Sequence, residues 1–116
     1  AELARRLADR RPLRVFDCSF DLADTGAGER AYADGHVPGA HYLHLDEDLA
    51  DHRPPADGRP RGRHPLPSRA AFAALLGEHG VDAAMPVVVY DRSGAMYAAR
   101  AWWMLRWLGH REVAVL

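Results

Sequence analysis

A short loop between two apolar segments holds the residue with the clearest chemical potential, Asp91. It follows residues 86–90 (Pro-Val-Val-Val-Tyr), which have strand character, and precedes a segment with helical spacing that starts near residue 96. In such a unit the loop N–H groups and the first helical turn converge, and the helix dipole stabilises negative charge there. A cysteine at this point would be an activated nucleophile. Aspartate can accept the same N–H groups, so its simplest interpretation is a helix cap.

A second interpretation makes Asp91 a phosphoaspartyl nucleophile. A strand-end aspartate before a helix also opens the active site of some phosphatases. Those enzymes place another aspartate two residues further on, whereas residue 93 is serine here. The sequence therefore supports this alternative only weakly.

Composition limits the class of protein. The chain has 116 residues, enough for one domain (1–116), and its 15 basic residues, all arginine, nearly balance 16 acidic ones. This balance gives no sign of a nucleic-acid or membrane surface, and no apolar run could span a bilayer. No leader peptide is visible, so we expect a soluble, cytoplasmic protein. Lysine, asparagine, isoleucine and glutamine are absent, which is typical of a GC-rich bacterial genome.

Two further side chains have ordinary structural interpretations. Cys18 is the only cysteine, so the chain can form neither an internal disulfide nor a cysteine-based metal cluster. Because Cys18 ends an apolar run, we expect a small buried filler. His36 lies in a turn and is expected to bond the turn backbone.

Strands and helices are predicted to alternate along the chain. The segments with strand character are residues 13–18, 41–45, 86–90 and 113–116. Four segments have helical character. The first runs through Leu3 and Leu7 to about residue 11, and the second covers residues 29–34. The third begins at residue 69 and ends at Gly77 or Gly80, and the fourth covers residues 96–108. Ser68 is expected to cap the third helix, and Gly35 and Gly109 to end the second and fourth. The strands are continuous apolar runs, which favours an α/β domain with a mostly parallel sheet covered on both faces.

Two connections stand out by composition. Residues 35–40 form a turn, because Pro38 disfavours helix before it and Gly39 accepts a left-handed backbone. Residues 46–67 are rich in Asp, Arg, Gly and Pro and have no period. Loops of this length inside a compact domain tend to be functional or mobile.

The helix at residues 96–108 is apolar on nearly every side. One stripe is expected to face the sheet and consists of Ala98, Ala101, Trp102, Leu105 and Leu108. Much of the remaining surface is supplied by Trp103, Met104 and Trp107. We expect a second cover for that surface, either a loop or terminal helix of this domain or a neighbouring domain.

Two motifs carry a family resemblance that covers nearly the whole chain. Residues 32–40 read Tyr-Ala-Asp-Gly-His-Val-Pro-Gly-Ala, and residues 99–106 read Ala-Arg-Ala-Trp-Trp-Met-Leu-Arg. The first is similar to the Tyr-x-x-Gly-His-(Ile/Val)-Pro-Gly-Ala signature of rhodanese domains, and Asp17 and the six-residue loop 91–96 match in order and spacing. The second resembles the amino-terminal domain of tandem thiosulfate and 3-mercaptopyruvate sulfurtransferases.

The resemblance implies a rhodanese-like three-layer α/β fold, with a mostly parallel central sheet flanked by helices and truncated at its C-terminal end. In the tandem enzymes the amino-terminal domain usually lacks the cysteine, and the carboxy-terminal domain supplies it in a Cys-x-x-Gly-x-x loop. Asp91 stands at the position of that cysteine. The resemblance therefore implies no catalytic residue in this chain, and no metal or organic cofactor.

Four residues match positions that line the family's substrate cleft. Phe20 and Tyr97, the latter next to Met96, match aromatic positions near the persulfide cysteine. Asp46 and His64 match an aspartate and a histidine that the mercaptopyruvate branch links to a serine of the other domain. An ordinary loop role for His64 and a turn-forming role for Asp46 are the alternatives.

The expected function is that of one half of an enzyme. The parent protein would move sulfane sulfur from thiosulfate or 3-mercaptopyruvate to cyanide or a thiol, with the catalytic cysteine in a missing C-terminal domain. Its partners would be a small-molecule sulfur donor, a thiophilic acceptor and a second rhodanese domain, with no nucleic acid and no membrane. The alternative is a catalytically inactive rhodanese-homology module for binding or regulation.

Overall fold

Four short parallel strands form one sheet in the computed structural model, which describes residues 3–5, 12–54, 56–59 and 62–116. The strands are β1 (Arg14–Asp17), β2 (His41–Tyr42), β3 (Val87–Tyr90) and β4 (Val113–Val115), in the order β2-β1-β3-β4. The predicted α/β class with a parallel sheet is confirmed.

Three helices connect the strands: α1 (Ala27–Asp34), α2 (Arg69–Glu78) and α3 (Ala98–Leu108). Ser68 caps α2 as predicted, since its hydroxyl accepts the N–H of Ala71 at 3.1 Å. Residues 3–5 are helical, but Leu7 and the rest of the predicted opening helix lie outside the described residues. Among the described residues, no helix combines the length and apolar character that crossing a bilayer would require.

Several predicted boundaries move. β2 ends at Tyr42 instead of residue 45, because the Asp48 carboxylate accepts the N–H of His44 at 2.8 Å and starts a turn there. Gly77 lies within α2, and Gly80, with φ of +78°, turns the chain after it. The helix α3 begins at Ala98 instead of residue 96, so the connecting loop is longer than predicted.

The strand order creates a crevice at one edge of the sheet. The chain leaves β1 toward β2 in one direction and leaves β3 toward β4 in the other. At such a switch point the carboxyl ends of two adjacent strands open a gap in which α/β proteins bind ligands. Here these ends are Asp17 and Tyr90, which are direct partners in the β1–β3 register.

The hydrophobic core lies between the sheet and the pair α2 and α3. Its largest members include Phe16, Phe72, Met104 and Leu105, each at most 1% exposed. Met104 therefore packs inward, whereas the sequence placed it on the outer surface of the helix. The reason is that the buried stripe of α3 is centred between Ala101 and Leu105, which brings Met104 to the sheet side.

The opposite face of the sheet is covered by α1. No residue of α1 belongs to the main core cluster, and Gly28 is its buried member. A side-chain carbon on Gly28 would lie 1.8 Å from the carbonyl oxygen of Ser19, so only glycine permits this approach. The covering on both faces agrees with the predicted three-layer arrangement.

Candidate functional site

Asp91 fills the anion cradle between β3 and α3. Its carboxylate accepts four backbone N–H groups, each at 2.8 Å: those of Ser93 and Ala95 at Oδ1, and those of Tyr97 and Ala98 at Oδ2. Burial acts to raise the pKa of Asp91, but these donors outweigh it and hold the pKa below its usual value. The carboxylate is therefore an ionised cap, the interpretation that the sequence favoured. It is not presented to a substrate, which argues against a phosphoaspartyl nucleophile.

The cradle has an unusual backbone. Gly94 and Ala95 are consecutive residues with φ of +67° and +73°, and Ala95 is the only non-glycine residue with positive φ among those described. An alanine in this region costs free energy that the surrounding bonds must offset. The result is a ring of N–H groups that points at one place, as anion-binding loops require.

The signature turn at residues 35–40 is tied to this loop. Arg92 donates to the carbonyl of Gly35 at 2.6 Å, and the N–H of Val37 donates to the hydroxyl of Tyr90 at 3.1 Å. His36 donates from Nδ1 to the carbonyl of Tyr32 at 2.7 Å and stacks on its ring. His36 thus has the expected structural role, and the motif positions the loop that carries Asp91.

Two of the predicted cleft residues form an aromatic wall beside the cradle. The rings of Phe20 and Tyr97 meet edge to face with centroids 5.5 Å apart. Phe20 is 5% exposed, while Met96, next to Tyr97, is 64% exposed. Tyr97 contacts Phe20 but does not line the pocket that Phe20 shares with the other two predicted residues.

Asp46 and His64 are close together although they are 18 residues apart in sequence. Nδ1 of His64 lies 3.1 Å from Oδ1 of Asp46, in hydrogen-bonding distance. Nε2 of His52 lies 3.2 Å from the same oxygen. The structure thus assembles a carboxylate and two imidazoles where the sequence predicted a single aspartate–histidine pair.

Neighbouring groups hold this cluster in place. Nδ1 of His44 accepts the N–H of Asp46 at 3.1 Å, while its Nε2 bonds the carbonyl of Thr25 at 3.1 Å. Arg100, on α3, donates to the carbonyl of Leu49 at 2.9 Å and to that of His64 at 2.8 Å. Arg100 therefore ties both ends of the long loop to the helix that follows the Asp91 cradle.

The cluster faces a pocket of about 290 Å³ on the same edge of the sheet. Its lining consists of Phe20, Leu22, Thr25, Asp46, His52, Arg63 and His64. A larger hollow, of about 500 Å³, adjoins Pro12, Asp82 and Pro86. Its residues precede β1 and β3, so it lies at the amino ends of the strands, away from the crevice where α/β folds bind ligands.

Cys18 behaves as the sequence predicted. It is 1% exposed, and burial raises the pKa of its thiol far above the ordinary value, so it stays protonated. Its N–H donates to the carbonyl of Tyr90 at 2.7 Å, which continues the pairing of β1 with β3. Cys18 is a buried filler and no nucleophile.

Sequence reasoning missed His52, His44 and Arg100 as parts of the site. His52 and His44 belong to segments without period, so no pattern connects them to Asp46. Arg100 could have been noticed in the sequence, because it is one of two charged residues on a helix that is otherwise apolar. A partly buried charge on such a helix needs polar partners, and Arg100 finds them in two loop carbonyls.

Comparisons with known proteins agree with this geometry. The chain is 43% identical over 111 residues to a Pseudomonas aeruginosa protein named "Probable 3-mercaptopyruvate sulfurtransferase", covering 96% of this chain and 38% of that protein. It is 41% identical over 106 residues to the thiosulfate sulfurtransferase of Gallus gallus, covering 90% of this chain and 34% of that protein. The 3-mercaptopyruvate sulfurtransferase from Leishmania major superposes with a TM-score of 0.81 at 34% identity, over 98% of this chain and 30% of that one.

These relatives are longer proteins, of which the chain spans 38% and 34% of the length. The family model described as "Rhodanese-like domain" matches residues 1–116. The parallel sheet, the turn at residues 35–40 bonded to β3 and the Asp91 cradle at the switch point agree with that match. This chain belongs to the rhodanese-like domain family.

Proposed function

We propose that this chain is the cysteine-less amino-terminal half of a sulfurtransferase that moves sulfane sulfur from thiosulfate or 3-mercaptopyruvate to cyanide or a thiol. A cysteine of a second rhodanese domain, outside these 116 residues, takes up the sulfur as a persulfide. The observation that carries the proposal is the Asp91 carboxylate, which occupies the cradle that would activate a cysteine thiolate. This half therefore builds part of the cleft and leaves the covalent chemistry to its partner domain.

The aromatic wall of Phe20 and Tyr97 would form the apolar side of that cleft. Such a wall excludes water and so strengthens electrostatic interactions with the sulfur donor. The exposed side chain of Met96 beside it leaves room for a second domain to approach. Phe20 and Tyr97 act in this proposal by contact with the substrate and not by proton transfer.

The Asp46–His64 pair has the arrangement of an orienting carboxylate and a base. Oδ1 of Asp46 fixes Nδ1 of His64 as the donor, so that Nε2 is the acceptor. Within the described ranges, Nε2 of His64 has no hydrogen-bond partner. It is thus available to a hydroxyl of the second domain, and this supports 3-mercaptopyruvate as the donor.

Two assays test the proposal. The full-length gene product should release thiocyanate from cyanide with thiosulfate or 3-mercaptopyruvate as donor, while the 116-residue chain should release none. Thiocyanate release by the isolated chain would overturn the assignment of Asp91. A full-length product that is inactive with both donors would favour the alternative, a module for binding or regulation.

Replacement of His64 should affect the two sulfur donors, 3-mercaptopyruvate and thiosulfate, to different extents. His64→Ala should lower kcat/KM for 3-mercaptopyruvate by about 100-fold, the lower range for loss of a positioned base, and affect thiosulfate much less. His36→Ala is the matched control, because His36 is exposed and contacts Tyr32, outside the Asp46–His64 pair. Equal losses with both donors would count against a base role for His64.

A bacterial, cytoplasmic origin completes the proposal. The composition without lysine, asparagine, isoleucine or glutamine supports a bacterial source, and the balanced charge with one buried thiol is compatible with a reducing compartment. Fractionation of the source cells, followed by immunodetection of the full-length product, tests the compartment. Recovery from the periplasm or a membrane would contradict it.

A further inference from the structure

The long loop brings together three groups that suit a transition metal. Asp46, His52 and His64 each offer one ligand atom, and these three atoms lie within 4.8 Å of one another. Two imidazole nitrogens and one carboxylate oxygen are the donor set of many zinc sites with an open position. His52 is not among the residues that the family resemblance implies, so the set goes beyond the Asp46–His64 pair.

The separations already approach those that a tetrahedral ion imposes. Zinc bonds of about 2.0–2.2 Å place neighbouring ligand atoms of a tetrahedral site about 3.3–3.6 Å apart. Oδ1 of Asp46 lies 3.1 Å from Nδ1 of His64 and 3.2 Å from Nε2 of His52. The two nitrogens lie within 4.8 Å of each other, and any shortening that the ion requires falls on this separation. His52 can make that adjustment, because its side chain is 47% exposed.

The other two ligands are held by bonds that metal binding does not break. Asp46 is held through its backbone N–H, which donates to His44, and His64 through its carbonyl, which accepts from Arg100. The N–H of Asp51 donates to the carbonyl of Pro65 at 2.8 Å, which joins the segments of His52 and His64. Ion binding therefore costs Asp46 and His64 little additional ordering entropy.

We propose that Asp46, His52 and His64 form a binding site for Zn²⁺, with the pocket beside Phe20 and Thr25 open to a fourth ligand. The ion replaces the two hydrogen bonds to Oδ1 of Asp46, and both imidazoles bind as neutral rings. Binding stands independently of the function proposed above. If that function holds, the loaded protein has lost the Asp46–His64 pair and should be slower with 3-mercaptopyruvate.

The test measures metal binding directly, without a sulfur donor. The full-length gene product, stripped of metal, is titrated with Zn²⁺ against a chromophoric chelator. His52→Ala removes one ligand and should weaken the affinity of this loop for Zn²⁺ by at least about tenfold. Loss of a residue that only hydrogen-bonds a ligand already costs about that much, and loss of the ligand itself costs no less. His36→Ala, at an exposed histidine outside the cluster, should leave it unchanged.

A second readout guards against loss of folding. Co²⁺ in a tetrahedral site gives intense visible absorption, which should appear in the parent protein and in His36→Ala and be lost in Asp46→Asn and His52→Ala. Circular dichroism verifies that the variants are folded. Equal Zn²⁺ affinity in the parent protein and in both cluster variants would overturn the proposal. Sulfur transfer is assayed separately, so the outcome for Zn²⁺ binding and the outcome for the proposed function can be told apart.

Discussion

In the proposed function, Asp91 preserves the shape of a catalytic loop without its chemistry. The ring of N–H groups that would lower the pKa of a cysteine requires an anion for its own stability, since four donors point at one place. Aspartate supplies that anion from within the chain. These four N–H groups are therefore bonded without any substrate.

Removal of this carboxylate should destabilise the domain. Asp91→Ala leaves four N–H groups without their charged acceptor, and we expect a loss of about 2–4 kcal/mol in the free energy of unfolding, measured in urea. Asp82→Ala is the control, because Asp82 is exposed and its carboxylate accepts a single loop N–H, that of Ala84. It should cost about 1 kcal/mol or less. Equal effects would contradict the cradle interpretation.

The contribution of Asp91 should depend on pH in one direction. Its pKa is lower in the folded chain than in the unfolded one, so its stabilisation is complete above the unfolded pKa of about 4. It is lost as the pH falls through the lower, folded pKa. The difference in unfolding free energy between the parent protein and Asp91→Ala should therefore be constant from pH 5 to 7 and shrink in more acidic solution. A difference that grows on acidification would contradict this sign.

Arg100 should control the order of the long loop. Arg100→Met keeps much of the side-chain length but loses the bonds to the carbonyls of Leu49 and His64. We expect faster cleavage of residues 46–67 by trypsin and a loss of about 1–3 kcal/mol in stability. Arg106→Met, on the same helix, removes an exposed guanidinium that lies over Trp102. The prediction fails if both variants are cleaved at the same rate.

At the scale of elements, two glycines in helices have opposite roles. Gly28 lies where α1 approaches the segment after β1, with no space for a side chain. Gly77 lies within α2, and nothing comes within 4 Å of the place where its side chain would begin. The same residue type is thus required for packing in one helix and is merely tolerated in the other.

Alanine at these two positions should therefore act in opposite directions. Gly28→Ala forces a backbone shift, because the carbonyl oxygen of Ser19 cannot yield as a flexible side chain does, and we expect a loss of about 3 kcal/mol or more. Gly77→Ala should stabilise by about 0.5–1 kcal/mol, since alanine favours the helical backbone. Thermal unfolding of the two variants measures both. A stabilising Gly28→Ala would disprove the close approach of α1.

At the scale of the whole molecule, α3 leaves an aromatic surface uncovered by the described residues. Trp103 is 48% exposed and stacks on Trp107 with centroids 6.0 Å apart. Arg69, from α2, lies over the Trp107 ring. Large exposed aromatic surfaces of this kind mark interaction sites. We propose that the second domain of the proposed function covers this surface in the full-length protein.

The exposure of Trp103 in the full-length protein tests that arrangement. We expect the fluorescence lost in Trp103→Phe to be poorly quenched by acrylamide, because the proposed second domain would shield the indole ring. Comparing the parent protein with the variant isolates this contribution from all other tryptophans. Efficient quenching of the Trp103 component would place the second domain elsewhere.

The sequence by itself determined what depends on near neighbours in the chain. The apolar runs before Cys18 and Asp91, the Ser68 cap and the turn at Gly39 are each set by spacing or by one residue's backbone preference. The position of Asp91 at a helix start follows from the same local pattern. Each of these features depends on residues that are close together in the chain, so the sequence pattern is enough to predict it.

The tertiary structure alone decided which distant groups meet. The loop at residues 46–67 has no period, so nothing in its order joins Asp46 to His52 and His64. Their approach depends on Arg100, which binds carbonyls at both ends of the loop from another element. The family resemblance named Asp46 and His64 together, but the third group of the cluster became apparent only in three dimensions. Long-range hydrogen bonds set these distances, and the positions of the bonded residues in the sequence follow no regular spacing.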